Sequence, residues 1–469
     1  MTTAGSLVHQ RATDIVQAIA AGHVAAADVV RAHLQQIDRL RSSLNAFVDL
    51  RREAALAEAR AQDEAAVRGV PRGPLGGLPI TVKSAIDVAG LRCETGSSSR
   101  KGIIAETDAV VVARLKAAGA IVLGTTNVAE MLMAYESDNP LHGRTANPWD
   151  LERTPGGSSG GESAAIAAGC SAGGIGSDGG GSIRVPAHFT GICGLKPTPG
   201  RIAGTGHQPA CLGPFSLIGV VGPMARYISD IDALFRVVAG GDPGDPMSAP
   251  VLASHDAAPL RIGFFEDDGR APVTAETRTA VRAAARAAEH AGHHVEPFLP
   301  DGLDQARQLW DIFFSEAALL LLAETLQGIE LGLPILKAYL KGQAPRPPLT
   351  SLGFMHSWIE RDEVRAKILR QMETHRVLIC PVASIPAFRH GERKWQVNGE
   401  RVDYLDAMSY TQWWNILGNP VVVVPAGRSP EGLPIGVQIV GRPFEEEVIL
   451  RVAAEIEREL GGYSPPPIA

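Results

Sequence analysis

Cysteine is sparse in this chain of 469 residues, and the five present (Cys93, Cys170, Cys193, Cys211, Cys380) are odd in number and widely spaced. No CxxC pair occurs, which excludes a disulfide framework and a zinc ribbon, and neither a metal nor a cofactor is expected. Basic residues are not in excess. The net charge of −7 argues against a large nucleic-acid footprint, so no nucleic-acid partner is expected. Long apolar runs are also missing: Ala317–Ala323 and Val421–Ala426 fall short of the roughly 20 residues a membrane span takes. The opening MTTAGSLVHQRATDIVQ lacks a basic start followed by an apolar core, so neither a secretory leader nor a membrane span is expected, and a cytoplasmic location is. Aromatics are only 5%, whereas Gly (51) and Pro (33) are abundant and predict many turns and close backbone approaches.

What remains is an ordinary globular balance, 45% hydrophobic and 20% charged. Apolar spacing over residues 12–40 predicts one or two amphipathic helices, and Arg52 to about Arg68 another. Leu78–Val82, Ala120–Leu123 and Gly191–Leu195 read as strands, with helices over Asp108–Ala118 and Ser159–Cys170. This alternation predicts an α/β sheet with helices on its faces. Ala239–Pro250 is a Gly/Pro-rich surface loop or boundary. Beyond it, strands are expected at Leu260–Phe265 and around His294–Pro297, and helices at Ala275–Ala291, Gln305–Gln327 and Ser357–His375. Val377–Pro381, Val421–Pro425 and Ile435–Val440 read as buried strands, and Glu445–Leu460 as a closing helix. The expected organisation is one unit, 1–469. It divides into N-terminal helices over about 8–70, a core over about 71–235, a variable segment over about 240–370 packed on it, and a core return over about 375–465.

The stretch Thr154–Lys196 carries the chemistry, and several readings compete for it. Gly174-Ile-Gly176-Ser-Asp-Gly179 matches GxGxxG, but the chain then runs into Ser-Ile-Arg-Val-Pro186 rather than a dinucleotide-binding helix. No Gly-Lys-Ser/Thr comes after either glycine cluster, which removes a P-loop. Ser158 and Ser159 each sit in a GxSxG pattern before a helix, as an α/β-hydrolase esterase would require, and the 13 histidines offer partners. A third reading uses both clusters. Gly179-Gly180-Gly181 before Ser182 can turn successive N–H groups onto one oxygen, forming an oxyanion hole beside a nucleophile. Ser158 would lie at a helix N-terminus, and Lys83, ending a strand and held from water, could serve as a base. Each feature alone is also an ordinary cap, turn or surface charge.

Together these segments resemble the amidase signature family. The resemblance rests on Gly77-Leu-Pro-Ile-Thr-Val-Lys83, Gly156-Gly-Ser-Ser-Gly-Gly-Glu-Ser163, Asp178-Gly-Gly-Gly-Ser-Ile-Arg184 and Gly191-Ile-Cys-Gly-Leu-Lys-Pro-Thr198. It extends to Gly124–Asn127, Asn147–Asp150 and Asn415–Gly441, and fails only over about 240–370. It implies a central mixed, twisted β-sheet covered on both faces by many α-helices. It further implies a Ser–Ser–Lys triad: Ser182 as nucleophile, Ser158 as the bridging serine behind a cis peptide bond to Gly157, and Lys83 as general base. Gly179, Gly180 and Gly181 would form the oxyanion hole, and Ser159, Ser177, Asp178 and Arg184 would support it. Leu132, Met133, Ala134 and Tyr135 would border the substrate. A lysine with its ordinary pKa of about 10.4 is only about one part in 2,500 neutral at pH 7, so burial must depress it. Two positions depart from the family pattern: Ser84 stands where Asp is usual, and Gly179 where Thr or Ile is commoner.

The activity this implies is hydrolysis of carboxamide C–N bonds through an acyl-enzyme, with apolar or aryl amides as substrates and esters and aryl carbamates (a urethanase-like activity) as further ones. A monomer or homodimer is expected. The A subunit of a glutamyl-tRNA amidotransferase is the alternative, disfavoured because Pro214–Pro223 lacks an Asp-Gln pair usual in that protein. The apolar segment Trp310–Leu340 would be either a buried helix pair or a lid favouring hydrophobic substrates, and Trp413-Trp414 would either face the pocket or pack under the sheet.

Overall fold

The structure is a computed structural model that describes residues 7–252, 257–317 and 349–468. Among them, thirteen strands form: β1 (Phe47–Leu50), β2 (Pro79–Lys83), β3 (Ile121–Thr126), β4 (Gly173–Asp178), β5 (Cys193–Lys196), β6 (Val220–Ala225), β7 (Arg261–Phe264), β8 (His294–Pro297), β9 (Val377–Pro381), β10 (Lys394–Val397), β11 (Glu400–Asp403), β12 (Val421–Arg428) and β13 (Pro434–Val440). Eleven of them build one sheet in the order β1-β3-β2-β4-β6-β5-β12-β13-β9-β7-β8, while β10 and β11 pair as a hairpin. The sheet is mixed. β2 runs parallel to β3 and β4, whereas β4, β6, β5, β12, β13 and β9 are successively antiparallel.

Helices α1 (Ala12–Ala20), α2 (Ala26–Leu44) and α3 (Arg52–Val67) open the chain where apolar spacing predicts them. They are followed by α4 (Val110–Ala117), α5 (Gly160–Ala167), α6 (Arg184–Thr190), α7 (Ile228–Val238), α8 (Ala275–His290) and α9 (Leu303–Trp310). The last four are α10 (Ser351–Gln371), α11 (Tyr404–Ala407), α12 (Ser409–Leu417) and α13 (Glu446–Leu460). Val448, Ile449, Val452, Ala453 and Ile456 put an apolar stripe on α13, and Gly461 ends it at φ 87°.

Helices must cover both faces, as the central strands show. Successive side chains of a strand point to opposite faces, yet Val421–Val424 are all buried. Val422 and Val424 join one apolar core, Val423 a second and Val421 a third. Full burial also explains why β12 reads as a continuous valine run rather than an alternating one.

The segment over about 240–370 adds β7 and β8 at one edge of the sheet. Helix α9 continues into a wider π-type turn over Asp311–Ala317, where the sequence predicts unbroken helix from Gln305. The rest of that expected helix, and the apolar run from residue 318 to 340, lie outside the described residues. Trp413 and Trp414 pack into the core around α12 instead of lining a cavity. No helix among the described residues is long and apolar enough to cross a membrane.

Candidate active site

The parallel pairing of β2 with β4 sets Val82 beside Ile175, so both strands end together. Lys83 closes β2, and Ser177 and Asp178 close β4. Helix α5 starts one residue after Ser159, and α6 starts after the glycine turn and Ser182. Thus both serine segments and the lysine meet at the carboxyl ends of neighbouring parallel strands, where open α/β sheets place their ligands.

Two competing motif readings end here. The GxGxxG residues form strand β4 itself rather than a strand-to-helix turn, so they cradle no dinucleotide. The residues before Ser159 form no strand, so the GxSxG pattern makes no nucleophile elbow. The Ser159 hydroxyl donates instead to the Ser177 carbonyl at 3.3 Å, and the Ser159 N–H to the Ser182 carbonyl at 3.2 Å.

Lys83 is fully buried. Its Nζ lies 2.7 Å from Ser158 Oγ, 3.0 Å from Ser177 Oγ and 3.3 Å from the Ser177 carbonyl. Burial takes its pKa down to about 7, against the opposing charges of Asp178, Cys211 and Glu162. The Gly157–Ser158 peptide bond is cis. Ser158, Ser177, Asp178, Gly179 and Ser182 border a single cavity of about 570 Å³.

The glycine turn is held from three sides. Asp178 accepts from the N–H groups of Gly181 (2.7 Å) and Ile183 (3.1 Å) and pairs with Arg184 at 2.9 Å. Arg184 in turn donates to the Thr411 carbonyl and to Gln438 Oε1, both at 2.9 Å, and to Asn415. Tyr135 Oη donates to the Gly180 carbonyl at 2.9 Å, and Trp310 Nε1 to the Gly179 carbonyl at 3.0 Å. The Gly181 N–H is therefore occupied. Among the described residues, the N–H groups of Gly179, Gly180 and Ser182 have no acceptor and stay available to a ligand oxygen.

Leu132 and Met133 line the cavity. Ala134 and Tyr135 stand behind it: the Ala134 carbonyl crowds Gly157, and Tyr135 braces the glycine turn. Met131, from the same stretch, lines it too, as does Phe314 from the segment expected as either a buried helix pair or a lid; sequence reasoning missed the other walls, which include Ile103, Phe215, Ile218 and Val220. It also missed His207, whose Nε2 lies 2.8 Å from Ser177 Oγ, and Glu162, buried beneath Lys83. Thr126 Oγ1 donates to Glu162 at 2.7 Å and Thr81 Oγ1 at 2.5 Å, and burial raises the Glu162 carboxyl to about 7. A lone Gly-His-Gln-Pro loop gives no signal that its histidine will reach a strand end from 30 residues away. No group of residues able to hold a metal ion occurs among the described residues.

Residues 28–450 match the family described as Amidase, and the chain belongs to the amidase signature family. The A subunit of the glutamyl-tRNA(Gln) amidotransferase of Chloroflexus aurantiacus is 34% identical over 485 aligned residues, spanning 96% of this chain and 97% of that protein. Indoleacetamide hydrolase of Bradyrhizobium diazoefficiens is 33% identical over 96% of this chain and 86% of its own length. A bacterial aryl acylamidase of the same family superposes with a TM-score of 0.85 at 25% identity, covering 96% of each chain.

Proposed function

We propose that the chain hydrolyses the C–N bond of small amides bearing an apolar or aryl group, with esters and aryl carbamates as further substrates. The 2.7 Å contact between Lys83 Nζ and Ser158 Oγ, both residues buried, carries this reading. Neutral Lys83 takes the Ser158 proton while Ser158 takes that of Ser182, and Ser182 Oγ attacks the carbonyl. The free N–H groups of Gly179, Gly180 and Ser182 stabilise the oxyanion. The relay then returns the proton to the leaving nitrogen, and water cleaves the acyl-enzyme by the same path. The walls formed by Met131, Leu132, Met133, Phe215, Ile218 and Phe314 support an apolar acyl group.

Sequence similarity favours a second reading, the A subunit of a glutamyl-tRNA amidotransferase, because that relative aligns over nearly its whole length. Free glutamine brings a charged ammonium and a carboxylate, and burying them calls for opposite charges. Among the described residues the Asp178 carboxylate on the cavity wall is already spent on Arg184, which leaves no free carboxylate for the ammonium of glutamine, although Arg100 on the same wall could meet its carboxylate. Purified chain alone should release ammonia from phenylacetamide and aniline from acetanilide, and both activities should vanish in Ser182→Ala. If it is inert to both and releases ammonia from glutamine only with amidotransferase partner subunits present, the second reading replaces the first.

A further inference from the structure

His207 lies outside the proposed triad, yet it reaches the lysine through one hydroxyl. Its Nε2 is 2.8 Å from Ser177 Oγ, which is 3.0 Å from Lys83 Nζ. Its other nitrogen, Nδ1, is 2.9 Å from the Pro209 carbonyl. A carbonyl only accepts, so Nδ1 carries the hydrogen and Nε2 of the neutral ring is an acceptor. The single Ser177 O–H must then point at Nε2, and the Ser177 lone pairs face Lys83.

This fixes the parity of every hydrogen bond around Lys83. A neutral amine has two N–H donors and one lone pair. The Ser177 carbonyl can only accept from it, and Ser177 Oγ, held by His207, also accepts. Among the described residues, Ser158 Oγ, 2.7 Å away, is the one remaining neighbour that can give Lys83 a proton. We propose that His207 is a positioning residue which, through Ser177, reserves the Lys83 lone pair for the Ser158 hydroxyl. The inference rests on reading Lys83 as the base and Ser182 as the nucleophile.

A protonated ring would donate from Nε2 and free the Ser177 O–H to occupy that lone pair. Burial and the nearby Lys83 charge lower His207 to about 4, so the ring stays neutral wherever Lys83 is deprotonated. The other groups facing Lys83 are Glu162 from α5, Asp178 at the end of β4, and Cys211, whose Sγ is 3.7 Å from His207 Nδ1. None of them touches the Ser177 hydroxyl.

The test monitors covalent labelling by phenylmethylsulfonyl fluoride, read by intact mass from about pH 5 to about pH 10, which needs no natural substrate. In that step the Ser182 Oγ–S bond forms, the S–F bond breaks, fluoride leaves, and the Ser182 proton passes through Ser158 to Lys83. In His207→Leu, the freed Ser177 O–H competes for the lone pair. The plateau rate should fall about tenfold or more, and the acid limb should shift to lower pH as the neutral amine gains a donor. His207→Gln can accept from Ser177 while donating to Pro209, and should stay within about threefold of the parent. In a Ser177→Ala background, His207→Leu should cause no further loss. Should His207→Leu not fold, His207→Ala serves: its rate should drop, and free imidazole entering through the cavity should restore it. An unchanged plateau and limb in whichever of these variants folds, with Lys83→Ala unlabelled, overturns the role of His207 and leaves the base intact. A parent chain that is never labelled, or a Lys83→Ala chain labelled at the parent rate, overturns the reading of the base and this inference with it.

Discussion

Arg184 and Asp178 form an ion pair, Nη2 to Oδ1 2.9 Å, with neither side chain exposed to solvent. Burial alone would raise the Asp178 carboxyl, but the Arg184 charge and hydrogen bonds outweigh it and hold the group well below the usual carboxylate range. A carboxylate whose folded pKa is depressed stabilises the fold above its unfolded pKa, about 3.9, and that contribution is lost as pH falls through the folded value. This pair should therefore contribute in full at pH 5 and above. Arg184→Met strands the carboxylate and three neighbouring acceptors, on Thr411, Gln438 and Asn415, and should cost about 3–5 kcal/mol in a urea titration at pH 7. A loss below about 1 kcal/mol would mean the turn does not depend on the pair.

Lys83 should set the acid limb of hydrolysis. With burial lowering it to about 7, kcat/KM should rise tenfold per pH unit below that value and level off above it. Glu162 is raised to about 7 beside it, so Glu162→Gln should move the limb to lower pH by removing the charge that favours the ammonium. A pH–rate profile of both chains on acetanilide checks this; a limb that stays put in Glu162→Gln removes Glu162 from the electrostatics of the site.

The same burial has a cost in stability. A lysine of depressed folded pKa binds fewer protons folded than unfolded between its two pKa values, so stability rises with pH across that window. Replacing the amine by Lys83→Met should abolish turnover and also raise unfolding stability at pH 7, by an amount on the order of a few kcal/mol. Urea titrations of both chains at pH 7 would show it as a higher midpoint for the variant. A lower midpoint would show that the three hydrogen bonds of Lys83 outweigh its desolvation.

The chain wrote some of this plainly and some not at all. Lys83, Ser158 and Ser182 could be picked out only together, because each motif alone is an ordinary turn, cap or strand end and their joint order is what resembles one family. Strand β12 was legible as an unbroken valine run, and β9 and β13 as short stretches rich in Val and Ile. Strand β4 was not, because Gly-Gly-Ile-Gly-Ser-Asp has almost no side chain to show a period, and its glycines are there to admit neighbours: a Cβ on Gly176 would meet Met224 Sδ at 2.8 Å. His207, Thr411, Asn415 and Gln438 reach the site from distant segments, and long-range hydrogen bonds leave no local pattern. Tyr135 and Ala134 were placed near the site by the family resemblance, but which way they face depends on the turn at Met131 and Leu132, both at positive φ.

The glycine turn offers a sharper test of geometry, because two adjacent glycines face different neighbours. A Cβ on Gly180 would lie 2.7 Å from Trp310 Cζ2, within a stacked Trp310–Phe314 pair, and the indole is itself tied to the Gly179 carbonyl. A Cβ on Gly179 meets only Phe314 Cε2, at 3.3 Å, which a ring can yield by a few tenths of an ångström. Gly180→Ala should thus displace Trp310, loosen the Gly179 N–H and carbonyl together, and lower kcat about a hundredfold, as loss of one oxyanion donor does. Gly179→Ala should keep kcat within about threefold while changing KM for bulky acyl groups, since Phe314 borders the cavity. Steady-state kinetics on acetanilide and a larger anilide separate the two outcomes, with intrinsic Trp fluorescence reporting the indole. Equal losses in both variants would show that the turn responds as one rigid unit rather than residue by residue.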